Sequence, residues 1–371
     1  MDIILYLLSK PERIATPLDE LLSRLNLYAG AYKTLANGQK LTVVISKKDL
    51  ARIPEPSLYS SISFIDVKSS KNNSLNLFRI RDRISKEGLN PKLFVPSDPF
   101  RSYLMCLTLK VLFYRKSKLQ LQLHGTFSQF RTQGVKSKIS TILIFFAIMC
   151  SNVIRVVSIT EFVKLKSMKF LARKKVILAP IPIYVPDAIP ALKKVSSTVE
   201  VASLGRIHEE RGIRLLTEII RAAYQAKSNL RFHIVGSGPE LATFRNHLAK
   251  EIDEGYCIYH GQKSKSEVYI FLQEMDVLIN CAPLEGYGLA MRESLIQGTR
   301  VVAFQNEGTK TLKEEFPEFV MLFSNVQEAI GELDSLPNGR QMTQDEILRI
   351  RKQIIEGNTK NIQAVAASWL C

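Results

Sequence analysis

Short hydrophobic runs alternate with amphipathic stretches through the second half of the chain. The run Val199–Leu204 predicts a strand, and residues 213–227 carry apolar side chains at helical spacing, which predicts a helix. A second helix is predicted over 264–274, and further strands are predicted at Leu230–Val235, Tyr256–Tyr259, Asp276–Cys281, Arg300–Phe304 and Phe319–Phe323. Strands that alternate with helices at this spacing indicate a parallel sheet that is covered on both faces.

The first half repeats this pattern less regularly. Candidate strands are Ile3–Leu8, Leu41–Ser46, Ile62–Val67, Leu93–Pro96, Leu119–Leu123 and Ile154–Ile159, with helices over 17–37, 76–87, 100–114, 134–151 and 160–172. The proline-rich segment Pro180–Pro186 cannot form a regular helix and is typical of a connection between domains. We therefore predict an α/β protein with domains at residues 1–185 and 195–345 and a helical segment at 346–371, since 371 residues exceed one ordinary core.

Composition narrows the class of protein. The five cysteines show no paired spacing, which argues against a disulfide framework or a zinc site and favours a reducing compartment. The N-terminal run Met1–Leu8 carries an acid where a signal peptide has a base, so we expect it to be a buried strand. The longest apolar run, Ile142–Cys150, is much shorter than the roughly 20 residues that span a bilayer.

Positive charge is concentrated in the first half. Residues 1–195 contain 32 Lys and Arg against 12 Asp and Glu, a net charge of +20, whereas residues 196–371 have a net charge of −4. No acid occurs between Asp98 and Glu161, where there are nine bases. This segregation predicts that an anionic surface or an anionic polymer faces the N-terminal half.

The apolar helix over 134–151 has two interpretations. It is typical of a buried helix, but it also fits an interfacial helix with its lysines at lipid headgroups and an apolar face in the bilayer. The residues concerned are Lys136, Lys138, Ile142, Phe145, Phe146 and Met149. Basic clusters at 115–118 and 173–175 would strengthen attraction to an anionic leaflet. Nucleic acid is the competing partner, and the chain has no helix-turn-helix, zinc-finger or RNA-recognition signature.

The segment from Glu285 to Glu293 carries the clearest chemistry. Two carboxylates stand eight positions apart, and a glycine turn ending at Gly288 precedes a short helical run that begins at Leu289. A helix that starts after such a turn presents unpaired N–H groups and a positive dipole end, which suit a phosphate. Carboxylates repel phosphate but accept hydrogen bonds from sugar hydroxyls. The segment therefore predicts a ligand with both parts, such as a nucleotide sugar.

Three further motifs precede this segment along the chain. Gly205-Arg206 follows a strand, with Arg211-Gly212 five residues on; Val235-Gly236-Ser237-Gly238-Pro239 and His260-Gly261 come next. Together the four motifs, over about residues 200–310, resemble glycosyltransferase family 4 (group 1), whose members are retaining enzymes of the GT-B type. The first half resembles the family only at Leu123-His124-Gly125 and in its layout, and Pro11–Thr16 lacks the family's acceptor-side glycine pair.

The resemblance implies two Rossmann-like domains that face each other across a cleft, with the acceptor on the N-terminal domain and the nucleotide sugar on the C-terminal one. It implies metal-independent transfer, in which Arg206 and Arg211 pair with the diphosphate, Glu285 reaches the donor sugar and His124 lies near the reacting carbon. Glu293 would bind the ribose. The other substrate-binding positions are Gly236, Gly238, His260, Gly261, Tyr287, Gly288 and Leu289.

We therefore expect a retaining hexosyltransferase with no cofactor. Its donor would be a UDP- or GDP-sugar, and its acceptor a glycan, lipid-linked, in cell-surface polysaccharide biosynthesis at the cytoplasmic face of the membrane. Three alternatives stay open: a non-catalytic GT-B scaffold or binding protein, a nucleotide-sugar epimerase and a glycan phosphorylase.

Overall fold

The computed structural model describes residues 2–8, 18–53, 55–68, 77–124, 135–191, 197–336 and 342–370, without the side chains of residues 2, 3 and 135–138. Pro11–Thr16, Gly125 and the side chains of Lys136 and Lys138 therefore lie outside the described part. The chain divides into two compact units: Met1–Pro182 with Asn358–Cys371, and Ile183–Gly357. The first division falls within the proline-rich segment.

The first unit contains a seven-stranded parallel sheet in the order β3-β2-β1-β4-β5-β6-β7. Its strands are β1 (Asp2–Leu7), β2 (Leu41–Ser46), β3 (Ile62–Val67), β4 (Asn90–Pro96), β5 (Lys118–Leu123), β6 (Val153–Val156) and β7 (Lys175–Leu178). Its helices are α1 (Leu18–Leu35), α2 (Lys47–Leu50), α3 (Leu77–Lys86), α4 (Arg101–Leu112), α5 (Val135–Cys150) and α6 (Ile159–Ser167). The strand order reverses between β1 and β4.

The second unit contains a six-stranded parallel sheet in the order β10-β9-β8-β11-β12-β13. Its strands are β8 (Val199–Leu204), β9 (Leu230–Val235), β10 (Cys257–Gly261), β11 (Val277–Asn280), β12 (Arg300–Phe304) and β13 (Val320–Phe323). Helices α7 (Ile213–Gln225), α8 (Leu241–His247), α9 (Ala249–Asp253), α10 (Lys265–Gln273), α11 (Leu289–Leu295), α12 (Glu307–Glu315) and α13 (Val326–Asp334) cover it. This strand order reverses between β8 and β11.

The predicted α/β class with two Rossmann-like sheets is confirmed. Strands such as β2 and β11 are buried along most of their length because helices cover both faces of the sheets, which explains their near-continuous hydrophobic runs. The final helix, α14 (Gln344–Ser368), belongs to the second unit up to Gly357 and to the first unit from Asn358. Trp369, the residue directly after α14, packs edge-on against Tyr28 and Tyr32 of α1.

Two predicted elements of the first unit differ from the structure. The strand predicted over Ile154–Ile159 ends at Val156, because Ser158 already precedes the first turn of α6. The helix predicted over 160–172 ends at Ser167 and is followed by a single 3-10 turn at Lys169–Leu171. Strand β7 has no counterpart in the sequence prediction, since it is four residues long and begins with a lysine.

Helix α5 is buried on one side only. Ile144, Ala147 and Ile148 are in the core, as a buried helix requires. Its other face is exposed, with relative exposures of 44% to 67% for Ile139, Ile142, Phe145, Phe146 and Met149. Among the described helices, none combines the length and apolar character needed to cross a bilayer.

Candidate functional site

The loops that follow β8 and β9 approach each other so closely that they require glycine. A Cβ on Gly236 would lie 1.8 Å from the carbonyl oxygen of Gly205, and one on Gly238 would lie 2.1 Å from that of Ile207. The amide of Gly236 donates a hydrogen bond of 2.8 Å to the carbonyl oxygen of Gly261. Gly205 and Gly236 both have a φ of 141°, which favours glycine. Backbone rather than side chains therefore forms this edge of the sheet.

A second glycine contact joins the loops on either side of the strand-order reversal. Gly212 ends the loop after β8 with a φ of 74°, and a Cβ there would lie 1.9 Å from the carbonyl oxygen of Cys281, which follows β11. Next to this contact, Nη1 of Arg211 lies 3.3 Å from Oε2 of Glu285. Ligands of doubly wound sheets bind outside the carboxyl ends of the strands at such a reversal. Arg211 and Glu285 therefore stand where that rule places a ligand.

Neighbouring groups fix the carboxylate of Glu285. Asn280 donates to Oε2 at 3.3 Å, and the amide of Gly286 donates to Oε1 at 3.0 Å. Behind the loop, a Cβ on Gly308 would lie 2.1 Å from the carbonyl oxygen of Glu285, so α12 approaches the loop without a side chain. The side chain of Glu285 is only 13% exposed, so the surrounding protein groups fix its position.

Arg292 holds the glycine turn from behind, a role that the sequence analysis missed. Its guanidinium is buried, binds both carboxylate oxygens of Glu315, and donates from Nε to the carbonyl oxygen of Tyr287 at 3.1 Å. It also lies 4.2 Å from the centre of the Tyr287 ring. Because Glu315 is 23 positions away, no local pattern reveals the pair.

Gly288 and Glu293 belong to the turn and helix that this arginine supports. Gly288 has a φ of 72° and caps α11, and a Cβ there would meet the methyl group of Met291 at 2.5 Å. Leu289 then begins the helix. Oε1 of Glu293, within α11, lies 3.5 Å from both Nζ of Lys265 and the hydroxyl of Tyr269. The carboxylate of Glu293 therefore faces α10.

Arg206 and His260 stand in contrasting surroundings. The Arg206 side chain is 62% exposed and pairs with Glu210 at 3.5 Å, a weak contact that leaves it free to turn toward a ligand. The imidazole of His260 contacts His233 at 2.9 Å, and His233 contacts Glu200 at 2.6 Å. Burial lowers the pKa of His260, and His233 and Lys263 lower it further. In this arrangement the Gly261 backbone reaches the glycine loops, whereas the His260 imidazole packs beside the sheet.

His124 lies in the first unit, directly after β5, where it lines a cavity of about 220 Å³. Exclusion of water, together with the positive charges of Arg155 and Arg24, lowers the pKa of His124 to about 3. His124 nevertheless keeps exposed surface. The positive charges of the two arginines lower its pKa whether or not the imidazole is buried. His124 is therefore a neutral imidazole near neutral pH.

The structure thus brings most of the predicted positions of the second unit together. Arg211 and Glu285 are in direct contact, Gly236 is linked to Gly261, and Gly288 begins the helix that carries Glu293. Asn280, Arg292 and Gly308 support the same loop and were not predicted. Asn306 also supports it through a hydrogen bond to Ala282, and its capping box with Thr309 is a sequence signal that was available. Among the described residues, no three His, Cys, Asp or Glu side chains are grouped as metal ligands.

Sequence comparison connects the second unit to a known family. Residues 186–353 match the family model of glycosyl transferases group 1. The uncharacterized glycosyltransferase YqgM of Bacillus subtilis (strain 168) is 23% identical over 184 residues, which are 49% of this chain and 51% of that protein. The chain covers about half or less of the length of the curated relatives that it matches.

Solved structures of similar fold extend over both units. HepE from Anabaena, in complex with UDP and glucose, superposes with a TM-score of 0.64 at 11% identity and covers 97% of this chain and 98% of its own. The lipopolysaccharide outer core galactosyltransferase WaaB, in its apo form, gives a TM-score of 0.65 at 10% identity, covering 98% and 99%. The chain therefore has the GT-B fold. Together with the family match, this supports a group 1 glycosyltransferase.

Proposed function

We propose that this chain is a retaining glycosyltransferase that moves a hexose from a UDP- or GDP-sugar to a glycan acceptor. The observation that carries the proposal is the sheet edge of the second unit at the carboxyl ends of its strands. There, Gly205, Gly212 and Gly236 leave main-chain atoms uncovered by side chains. Such an edge lets a diphosphate approach main-chain amides closely. Similarity to HepE, solved with UDP and glucose, and to the galactosyltransferase WaaB gives further support.

Two arginines provide the positive charge that the diphosphate needs. Arg206 is mostly exposed, and Glu285 contacts only Nη1 of Arg211, so both guanidinium groups keep donors for phosphate oxygens. Arginine binds phosphate with two parallel hydrogen bonds, which fixes its geometry as well as its charge. With fixed cations and backbone amides at the leaving group, the transfer proceeds without a metal or a cofactor.

The two glutamates bind the sugars of the donor. Glu285 is held rigidly beside Arg211 and accepts hydrogen bonds from the hydroxyls of the transferred hexose. Glu293 lies one turn into α11 and accepts from the ribose, exchanging its contacts with Lys265 and Tyr269 for the nucleotide. His260 and Gly261, with Gly238, border the base. The acidic side chains thus address hydroxyls, and the basic ones address phosphate.

The reaction exchanges one bond at the anomeric carbon for another. The bond from C1 to the diphosphate oxygen breaks and its electron pair leaves with the diphosphate, while the acceptor hydroxyl oxygen bonds to C1 on the same face. The acceptor proton passes to the departing phosphate oxygen. His124 is neutral near pH 7, so it serves as a hydrogen-bonding group toward the sugar rather than as a charged acid.

Hydrolysis of nucleotide sugars without acceptor tests this proposal. We expect a screen of UDP- and GDP-hexoses to identify a donor, and Arg206→Ala and Glu293→Ala each to lower its turnover by about 10² to 10³. Arg214→Ala and Glu307→Gln are matched controls, because Arg214 is an exposed arginine paired with a nearby glutamate and Glu307 is exposed. Unchanged turnover in both site variants would refute the site, and binding of neither UDP nor GDP would favour a non-catalytic scaffold.

The acceptor in this proposal is lipid-linked, as in cell-surface polysaccharide biosynthesis, and the protein binds the cytoplasmic face of the membrane. The exposed face of α5 supports this, since Ile142, Phe145, Phe146 and Met149 are all at least 44% exposed. Phe170, which is 52% exposed, packs against Phe145 and extends the apolar surface. An exposed apolar helical face within a basic domain is typical of interfacial binding to anionic lipid.

A further inference from the structure

The cavity of the first unit lies at the reversal of its strand order. Tyr6 of β1, Ser97 after β4, Gln122 of β5 and Arg155 of β6 all line it near the carboxyl ends of their strands. Its volume of about 220 Å³ is several times the roughly 30 Å³ of one water molecule, and less than the roughly 300–1,000 Å³ of drug-sized pockets. The cavity therefore suits a group of about the size of one sugar residue.

Arg155 brings a buried positive charge to this cavity. The residue is 3% exposed, and its side chain makes three hydrogen bonds, all to neutral acceptors. Nε donates to the carbonyl oxygen of Ala179 at 3.1 Å, Nη1 to Oε1 of Gln122 at 3.0 Å and Nη2 to the hydroxyl of Tyr28 at 2.8 Å. No carboxylate of the described residues pairs with it. Two of its five N–H groups remain for another acceptor.

A buried guanidinium without a counter-charge is unusual, because burial of a charge is costly unless the charge is paired. A second guanidinium lies at the same cavity, and a carboxylate on its own helix pairs with it. Arg24 of α1 also lines the cavity, with its side chain 17% exposed and paired with Glu20 at 2.9 Å. The cavity walls otherwise carry phenol, amide, imidazole and hydroxyl groups, which bind oxygen-rich ligands, beside the apolar side chains of Leu21, Leu25 and Ile181. The cavity thus has excess positive charge and hydrogen-bond donors.

A purely structural role for Arg155 would predict no discrimination between charged and neutral ligands. Its three bonds tie β6 to β5, to α1 and to the segment after β7, and such a tie needs donors but no charge. The placement of Arg24 at the same cavity is not explained by that role. A test must therefore measure discrimination between charged and neutral ligands, and not only stability.

We propose that this cavity binds an oxyanion, a carboxylate or a phosphate, carried by the sugar acceptor. Arg155 is the buried anchor, and Arg24 contributes a second positive charge. The identification of the ligand as the acceptor rests on the proposed glycosyltransferase function, whereas oxyanion binding by the first unit does not. The acceptor is accordingly an acidic or phosphorylated sugar rather than a neutral one.

Isothermal titration of the full chain with three probes tests the proposal. Methyl glucuronide supplies the carboxylate, glucose 6-phosphate supplies the phosphate and methyl glucoside is the neutral match. The fluorescence of Trp369 locates binding, since it is the only tryptophan of the chain and packs on Tyr28, which bonds to Arg155. We expect at least one charged probe to bind about tenfold or more tightly than methyl glucoside.

Variants assign this preference to the cavity. Arg24→Gln should weaken the charged probe by about tenfold and leave the neutral probe unchanged. Arg155→Lys keeps the charge but loses the planar fork, so it should also weaken the charged probe. Arg52→Gln is the matched control: Arg52 also pairs with a carboxylate within one helical turn, but it does not line the cavity. Circular dichroism checks that each variant is folded.

Three results would overturn the proposal: equal affinity for all probes, a preference unaffected by Arg24→Gln, or an equal loss in Arg52→Gln. Hydrolysis of UDP- and GDP-hexoses by the same preparations separates the two proposals. If hydrolysis is present without oxyanion discrimination, only the acceptor inference fails. If discrimination is present but no nucleotide binds and no donor is hydrolysed, the proposed transferase function fails and the oxyanion cavity stands.

Discussion

Strand order reverses in both sheets, but different chemical groups line the sheet edge at the reversal in the two units. In the second unit, backbone atoms meet across glycines at contacts that no side chain can replace, as at Gly212 and Gly236. In the first unit, the corresponding edge is lined by large polar side chains around Arg155, including Tyr6 and Gln122. One fold thus provides one edge of main-chain amides and one of side chains.

Under the proposed function, this difference suits two kinds of ligand. Diphosphate is common to all UDP- and GDP-sugars, and a backbone edge binds it with fixed geometry. Acceptors differ in chemistry, and side chains can change without moving the strands. The family match covers residues 186–353, which lie in the second unit. Glycine contacts leave compact motifs, whereas the lining of the first cavity is scattered between Tyr6 and Ile181.

The largest effect is expected when a methyl group is added at the glycine-lined sheet edge of the second unit. Gly212→Ala places a Cβ against the carbonyl of Cys281, which separates the loops after β8 and β11 and displaces Arg211. We expect UDP or GDP affinity to fall by about a hundredfold, since a displacement of about 1 Å is enough for such a loss. Calorimetric titration with nucleotide measures it.

Gly255→Ala is the control for this change. Gly255 has a φ of 72°, close to the 74° of Gly212, but nothing lies within 4 Å of its Cβ position. Both alanines therefore carry the same strain of left-handed backbone, and only one meets a carbonyl. Equal nucleotide affinity in the two variants would show that the close contact is not needed for binding.

An effect that is smaller for each side chain should show whether the first unit, and not the second, binds the membrane. Replacing Ile142 and Phe145 of α5 with serine should weaken binding to phosphatidylglycerol vesicles by roughly tenfold per side chain, because each loses its apolar burial in the lipid. Vesicle flotation measures the bound fraction. Ile270→Ser is the control, since Ile270 is 64% exposed but belongs to the second unit. Flotation that is equal for wild type and the α5 variant would remove α5 as the contact.

The smallest effect concerns pH. The folded-state pKa of His124 is about 3, below its ordinary value of 6.5, so protons bind the unfolded chain more readily. Its contribution to stability is therefore complete above pH 6.5 and is lost as the pH falls toward 3. We expect the imidazole ¹⁵N shifts of His124 to stay constant between pH 5 and 8. A midpoint near 6.5 would mean that the arginines and the burial do not act on this group.

Much of the second unit could be predicted from local pattern. Strands such as Val199–Leu204 and Leu230–Val235 were predicted with their observed bounds, because apolar residues recur at every second position at the start of each run. The glycine turn before α11 was equally visible, since glycine marks a position by its conformation. Partners distant in sequence were not visible, as Arg292 with Glu315 shows.

The sequence by itself determined the alternation of strands and helices, the charge segregation and the glycine motifs, because each is written in neighbouring residues. Only the tertiary structure decided that Arg211 meets Glu285, that α5 has an exposed face and that Arg155 is buried without a carboxylate among the described residues. These features depend on which distant segments a parallel sheet brings to one edge. Crossover connections join those segments, and no local periodicity records the result.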